Sequence, residues 1–282
     1  MKKISPKLLT VFLTMAISTS ASFAVEIIGH RGASHDAPEN TLSSYKLGYE
    51  QNADGCELDL HLTKDGKVVI LHDFDTGRVG GVTNKIAETS FADLRKLDIG
   101  QWGQWKGSAF HEKIPTLAEC LALIPNDKKF FLEIKCRDSA ADEERTITKT
   151  LPAMKRILKA SGKTAQQTPI ITFNYASAAA AKKLMPGHEV YWLLSWSKNK
   201  KTDEYPNLDD LIAKTKAAKL DGLDLNYGFP IDKEFVEKVH AAGLKLYTWT
   251  VDDPAVAQTQ ADAGVDGITT NRPEFLRDAL KK

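Results

Sequence analysis

The chain has 282 residues, 42% of them hydrophobic, with 38 Lys and Arg set against 37 Asp and Glu. That balance leaves no basic excess of the kind that draws a protein to nucleic acid, and beyond the N-terminus no stretch is long and apolar enough to span a membrane. The length suits one barrel-sized domain with a full core, and three cysteines, Cys56, Cys120 and Cys136, are too scattered for a disulfide framework.

The first segment reads as an export signal. Lys2, Lys3 and Lys7 precede a short apolar run from Leu8 to Ile17, and a small-residue stretch ends at Ala24. Residues 1–24 are therefore expected to be removed, leaving a mature chain from Val25 to Lys282 that works in the periplasm or outside the cell. Loss of the three lysines makes the mature charge slightly negative. From Val25 onward, β-rich runs alternate with amphipathic helical stretches. Strands are expected at Val25–Gly29, Cys56–Leu60, Phe130–Lys135, Pro169–Phe173, Val190–Leu194, Gly222–Leu225, Lys245–Thr250 and Gly267–Thr270. Helices are expected between most of them, at Thr41–Gln51, Leu208–Lys219, Lys233–Ala242 and Ala255–Ala263. Gly243 and Gly264 sit where helix C-caps belong, and Asp253-Pro254 reads as an N-cap followed by proline at the first helical position. This alternation predicts an α/β fold, a TIM-type (β/α)8 barrel.

One segment departs from the alternation. Lys67–Leu71 is strand-like but follows Cys56–Leu60 too closely for a parallel crossover, and Thr63-Lys64-Asp65-Gly66 between them is turn chemistry. It is therefore expected to return antiparallel as a hairpin arm that carries His72 toward Glu57 and Asp59. Residues 73–114 then form a small insertion over one barrel face, with a short helix near Phe91–Leu97 and an aromatic loop holding Trp102 and Trp105. Pro115-Thr116-Leu117 starts the next helix.

Four acidic or histidine clusters fall at the ends of strand-like runs: His30-Arg31-Gly32, Glu57-x-Asp59, His72-Asp73 and Glu133-x-Lys135. The C-terminal ends of barrel strands gather at one face, where active sites form. Alternate strand residues share a face, so Glu57 with Asp59, and Glu133 with Lys135, point into the barrel, while Cys56 and Cys136 turn toward the helices. Three inward carboxylates make an oxygen-rich site for a hard cation, Ca²⁺ or Mg²⁺. His30 and His72 are placed to act as general acid and base, and Arg31 and Lys135 supply positive charge for an anionic substrate. Together these suit displacement at phosphorus.

The blocks His30-Arg31-Gly32, Pro38-Glu39-Asn40-Thr41, Gly55-Cys56-Glu57-Leu58-Asp59-Leu60, Thr63-Lys64-Asp65-Gly66 and His72-Asp73 resemble, in order and spacing, the signature of the glycerophosphodiester phosphodiesterase family. The similarity continues through Leu97-Asp98-Ile99-Gly100, Ile114-Pro115-Thr116-Leu117, Glu133-Ile134-Lys135, Trp249-Thr250 and Gly267-Ile268-Thr269-Thr270. The resemblance implies a TIM-type barrel over residues 25–282 with a divalent cation held by Glu57, Asp59 and Glu133. It implies His30 and His72 as the acid–base pair, Arg31 and Lys135 near the phosphate, and a small-molecule glycerophosphodiester as substrate. The products would be glycerol 3-phosphate and an alcohol, reached through a cyclic phosphate. The chain departs from the family pattern at Asn271, where an Asp is usual.

Further candidates lie nearby. Glu39 is placed either at the cation or its waters or as support for the helix start at Asn40-Thr41. Trp249 is expected to wall the pocket against the glycerol or leaving group, with Phe173 as a further candidate and Tyr247 one layer down. Phe229 is expected on a loop covering the same face. Trp102 and Trp105 form either an alcohol-facing lip or packing anchors. His35, His61, His111, His188 and His240 read as surface or packing residues, with His61 facing away from the site. Two other functions remain on the same scaffold: a lysophospholipase D or sphingomyelinase D-like activity, and a non-catalytic binding protein.

Overall fold

A computed structural model describes residues 25–198 and 203–280. The proposed export signal, residues 1–24, lies outside the described residues. Among the described residues, nine strands form one sheet: β1 (Glu26–Gly29), β2 (Gly55–Leu62), β3 (Val68–Ile70), β4 (Lys129–Ile134), β5 (Ile170–Thr172), β6 (Val190–Leu194), β7 (Gly222–Asn226), β8 (Lys245–Trp249) and β9 (Gly267–Thr270). Their order is β1-β9-β8-β7-β6-β5-β4-β2-β3, and a further pairing of β1 with β2 closes eight parallel strands into a barrel. The ninth, β3, is antiparallel to β2, pairing Leu60 with Ile70 and Leu62 with Val68. Strand β2 runs eight residues against four in β1, and its overhanging end is the part that β3 covers.

The expected strands agree with these bounds to within one or two residues. The helices start and stop as their caps dictate. Thr41 and Thr116 each close a capping box, at Leu42–Glu50 and Leu117–Leu121. Asp253 caps Pro254–Ala263, and Gly264 ends that helix in the left-handed conformation that glycine tolerates.

Alternation along the strands divides the core in two. Leu58, Leu60, Phe130, Leu132, Leu223, Leu225 and Leu246 point outward and pack with the helices. Cys56 also faces outward, its thiol near the Tyr45 carbonyl, and Cys56, Cys120 and Cys136 are all free thiols. Ile28, Phe131, Ile171, Tyr191, Leu193 and Tyr247 point inward and fill the barrel's waist. Ion pairs plug the bottom, where Lys129 meets Glu26 at 2.5 Å and Lys245 meets Glu189 at 2.6 Å. The Tyr247 and Tyr191 hydroxyls donate down onto Glu26 and Glu189. Residues 73–114 build a small core of their own against β3, from Val69, Leu71, Val79, Ile86, Leu94, Ile99 and Ile114.

The Phe131 ring lies 5.1 Å from that of Tyr247 and 6.2 Å from that of Tyr191, so it holds the platform on which the top of the barrel rests. Phe131→Ala should lower the unfolding free energy by about 3–5 kcal/mol, the range for emptying a buried aromatic site. Urea unfolding followed by circular dichroism reads the change, and a loss well under about 1 kcal/mol would show that the waist collapses freely around the missing ring.

Candidate active site

The site is assembled at the C-terminal rim by short turns leaving β1, β2 and β4. Arg31 follows β1 and His30 with φ of 55°, and Gly32 continues at 85°. The left-handed region is uncommon outside glycine and, at a buried turn, is held only when its surroundings fix it. A Cβ on Gly32 would overlap the Ser44 backbone, so the turn can press directly on the following helix. The turn aims the Arg31 N–H at Glu57 Oε2, 2.9 Å away. Asn40, also left-handed at 58°, donates from Nδ2 to Asp59 Oδ2 at 2.7 Å and accepts from the Tyr45 hydroxyl at 2.7 Å.

Glu57, Asp59 and Glu133 converge. They are 3%, 1% and 8% exposed, and one ligand oxygen from each lies within 4.8 Å of the others. Lys135 Nζ sits 2.7 Å from Glu133 and 3.2 Å from Asp59, and Arg31 Nε is 3.4 Å from Asp59. Two fixed cations against three carboxylates leave the cluster negative. Burial lifts Glu133 to about 7, with Asp59 adding and Lys135 opposing. Burial, Asp59 and Glu133 push Glu57 well above the ordinary carboxylate range. Burial would raise Asp59 as well, but Lys135 and Arg31 hold it far below that range. Glu57 Oε1 is buried with no hydrogen-bond donor in place, and Asp59 Oδ1 meets only the Lys135 ammonium. Inward oxygens of this kind, short of donors and of positive charge, fit one hard divalent cation.

Both histidines line the same pocket, and each is held by its Nδ1. His30 Nδ1 lies 2.7 Å from Asn271 Oδ1, and Asn271 Nδ2 donates to Asp252 at 2.6 Å. The carboxylate accepts only, which turns the amide oxygen toward His30 and makes Nδ1 the donor, leaving Nε2 for the pocket. His72 Nδ1 lies 2.8 Å from Asp73, so it too presents Nε2. Burial and Arg31 lower His30 to about 4. Burial lowers His72 as well, against the pull of Asp59 and Asp73. Asn271 thus serves as the neutral acceptor that positions His30.

Glu39 is held by two guanidiniums. It accepts from Arg31 at 3.0 Å and from both terminal nitrogens of Arg78, at 3.0 and 2.7 Å. Arg78 also donates to Asp73 at 2.6 Å and lies over the Trp102 ring at 4.8 Å, so Trp102 is an anchor for that guanidinium. Trp105 packs edge-on against Phe110. The far wall is apolar: Phe173 meets Trp249 edge-on at 5.4 Å, with Ile171 and Leu193 beside them and Tyr247 in the layer below.

Two expectations are corrected. His61 does not face away: it lies two residues beyond Asp59 on the same strand face, buried, with Nε2 3.4 Å from the His72 carbonyl. Phe229 does not cover the pocket but is buried against Trp196 on the helix side. His35, His111 and His240 pair with acids near the surface, and His188 meets Thr168. Asn40, Arg78, Asp252 and Asp224 were absent from the sequence-derived set. Asp224 alone carried a signal, as an acid between two leucines on a strand, where alternation turns it inward.

The model of the Glycerophosphoryl diester phosphodiesterase family matches residues 30–275. A glycerophosphodiester phosphodiesterase of Caldanaerobacter subterraneus is 31% identical over 259 residues, covering 91% of this chain and 98% of the relative. Among solved structures, an Oleispira antarctica phosphodiesterase in complex with the product sn-glycerol-3-phosphate aligns with a TM-score of 0.77 and 29% identity, covering 93% of this chain and 98% of that one. A glycerophosphodiester phosphodiesterase from Parabacteroides distasonis aligns at 0.73 and 26%, covering 92% and 97%.

The elevated Glu57 and Glu133 make cation uptake compete with protons. Glu133, raised to about 7, is partly protonated near neutrality when no cation is bound, and Glu57 is raised in the same direction, so affinity should weaken as pH falls from about 8 to about 6, and binding should release protons. Calorimetric titration of Ca²⁺ or Mg²⁺ in buffers of different ionisation enthalpy reads both effects. Affinity flat across that range would show that both carboxyls enter binding already ionised.

Proposed function

The chain belongs to the glycerophosphoryl diester phosphodiesterase family, and as an enzyme hydrolysing glycerophosphodiesters we propose that it works through one divalent cation and the pair His30 and His72. The observation that carries this reading is the convergence of two Nδ1-anchored histidines, a buried acidic trio and two basic side chains on one rim. Glu57, Asp59 and Glu133 would hold the cation, Ca²⁺ or Mg²⁺. Once bound, it neutralises charge on the phosphate and favours attack on phosphorus.

The remaining chemistry belongs to the chain's own residues. Arg31 and Lys135 face the phosphate with positive charge. His30, kept neutral by burial and by an uncharged acceptor, takes the proton of the glyceryl hydroxyl next to the phosphate as that oxygen attacks phosphorus. His72, with carboxylates at Asp73 and Asp59 to favour its charged form, gives a proton to the departing alcohol. The products of this step are the free alcohol and a cyclic phosphate. The histidines then exchange roles: His72 takes a proton from water as it opens the ring, and His30 returns one to the glyceryl oxygen. Glycerol 3-phosphate results. Trp249 and Phe173 would wall the organic part of the substrate.

We further propose that the protein acts after export, on the basic, apolar and small-residue pattern of residues 1–24. Mass spectrometry of the protein recovered from the cell envelope should find Val25 at its N-terminus, whereas an intact leader on all of it would remove this reading.

Glu57→Gln and Glu133→Gln should each abolish cation binding and hydrolysis of glycerophosphocholine. His30→Ala and His72→Ala should keep the cation and lose ~10²–10⁴-fold in kcat/KM. Wild-type binding in both Gln variants would remove the ligand assignment. A strong preference for lysophosphatidylcholine over glycerophosphocholine would replace the substrate.

A further inference from the structure

Strand β7 carries a carboxyl that none of these steps uses. Asp224 stands between Leu223 and Leu225, which pack outward with the helices, so its side chain turns into the barrel. In the strand order β7 is four strands from β2 in either direction, which sets Asp224 across the barrel from Glu57 and Asp59. It is 2% exposed and lines the pocket shared by His30, Glu133 and Trp249. Its neighbours in register are Leu193 and Tyr247, and the Trp249 indole N–H lies over it, donating to its backbone carbonyl at 3.1 Å. Among the described residues the carboxyl has no hydrogen-bond or ion-pair partner, and Oδ1 is closed off from solvent.

A buried carboxyl without a partner destabilises the fold, and this one adds acidity to a pocket already crowded with it. Substrate can supply the missing partner. The phosphate is drawn away from it, because Arg31 and Lys135 stand across the barrel. The leaving alcohol differs among glycerophosphodiesters and departs toward the open rim, where Phe173 is 41% exposed. The glyceryl unit is common to all of them and stays with the phosphate. A closed floor with one polar group suits that constant part, and a hydroxyl complements a carboxyl in either protonation form.

Resting on the proposed hydrolysis of glycerophosphodiesters, we propose that Asp224 is a specificity residue that hydrogen-bonds the terminal glyceryl hydroxyl, the one that does not attack phosphorus. An acyl chain on that oxygen would remove its proton and meet the wall of Leu193 and Trp249, so the same contact selects deacylated substrates.

The test compares glycerophosphocholine with 2-hydroxypropyl phosphocholine, which keeps the attacking hydroxyl and lacks the terminal one, at saturating Ca²⁺ or Mg²⁺. Wild type should prefer the glyceryl compound by about 10- to 100-fold in kcat/KM, the cost of leaving a buried polar group without its partner. Asp224→Leu should lose that factor on the glyceryl compound, keep wild-type kcat/KM on the deoxy compound, and bind the cation as wild type does. Asp224→Asn, which retains an acceptor, should recover part of the preference. Thermal stability of both variants should equal or exceed wild type, because an unpaired buried carboxyl is gone. Equal treatment of the two substrates by wild type, equal loss on both in Asp224→Leu, a lower melting temperature in both variants, or loss of cation affinity would each overturn the assignment. Inactivity of wild type toward both compounds would instead overturn the proposed function.

Discussion

The structure is organised around the crowding of Glu57, Asp59 and Glu133 in a volume that almost no water reaches. Three ionised carboxylates cannot share such a site without compensation, because desolvation and mutual repulsion both favour the neutral acid. The protein supplies part of the compensation from its own chain. Lys135 bridges Glu133 and Asp59, Arg31 closes on Asp59, and the Arg31 N–H caps Glu57. The result is uneven. Asp59, contacted by both cations and by Asn40, stays ionised, while Glu57 and Glu133 rise above the usual range. That residual deficit is what a divalent cation would fill, and it accounts for several local oddities at once. Arg31 and Asn40 adopt left-handed backbone because only those turns deliver a backbone donor to Glu57 and a side-chain donor to Asp59.

The same economy separates the two histidines. Each is tethered by Nδ1, but to chemically different partners. Asn271 offers His30 an uncharged oxygen, itself fixed by Asp252 and Ser34, and Arg31 lies alongside. Asp73 offers His72 a charged one, steadied by Arg78. A neutral acceptor fixes ring orientation without favouring the imidazolium, whereas a carboxylate does both. In the proposed mechanism this asymmetry is the reason to place the first proton abstraction on His30 and the first donation on His72. An aspartate at position 271 would erase much of that difference.

Much of this was legible in the sequence because the barrel writes a simple pattern. Strand alternation alone turns Glu57 with Asp59, and Glu133 with Lys135, inward. The Asp65-Gly66 turn after β2 is enough to make β3 a hairpin arm and bring His72 to the rim. What the sequence did not reveal are groups whose roles depend on tertiary distance. Glu39 lies in a matched block, yet only its position relative to Arg78, 39 residues away, shows that it clamps two guanidiniums. Asp252 and Asn271 are joined across a loop and a strand end, and no local periodicity links them. His61 was misread although its spacing from Asp59 carried the answer: a strand longer than the barrel keeps its phase past the rim. Phe229 failed for the opposite reason, since a loop has no phase and its ring followed Trp196 to the helix side.

The depth of the barrel gives the proposed chemistry and the proposed selection of substrate different walls. At the bottom, Lys129 with Glu26 and Lys245 with Glu189 satisfy charge within the chain. At the waist, Phe131, Tyr191 and Tyr247 pack ring against ring and leave no room for water. A ligand entering from the top therefore meets a rigid floor. On the side of β1, β2 and β4 that floor rises into charge and into the groups that move protons. On the side of β5 to β8 it rises into Ile171, Leu193, Phe173 and Trp249, where, among the described residues that line the pocket, the only ionisable group is Asp224. In the proposed function an anionic phosphate is drawn to the first wall by Arg31 and Lys135, which would fix which way round the rest of the molecule lies. The organic portion is then pressed against the second wall, and an isolated carboxyl in an apolar surface is the arrangement that distinguishes a substrate bearing a hydroxyl there from one lacking it, because a missing partner leaves a buried polar group unpaired.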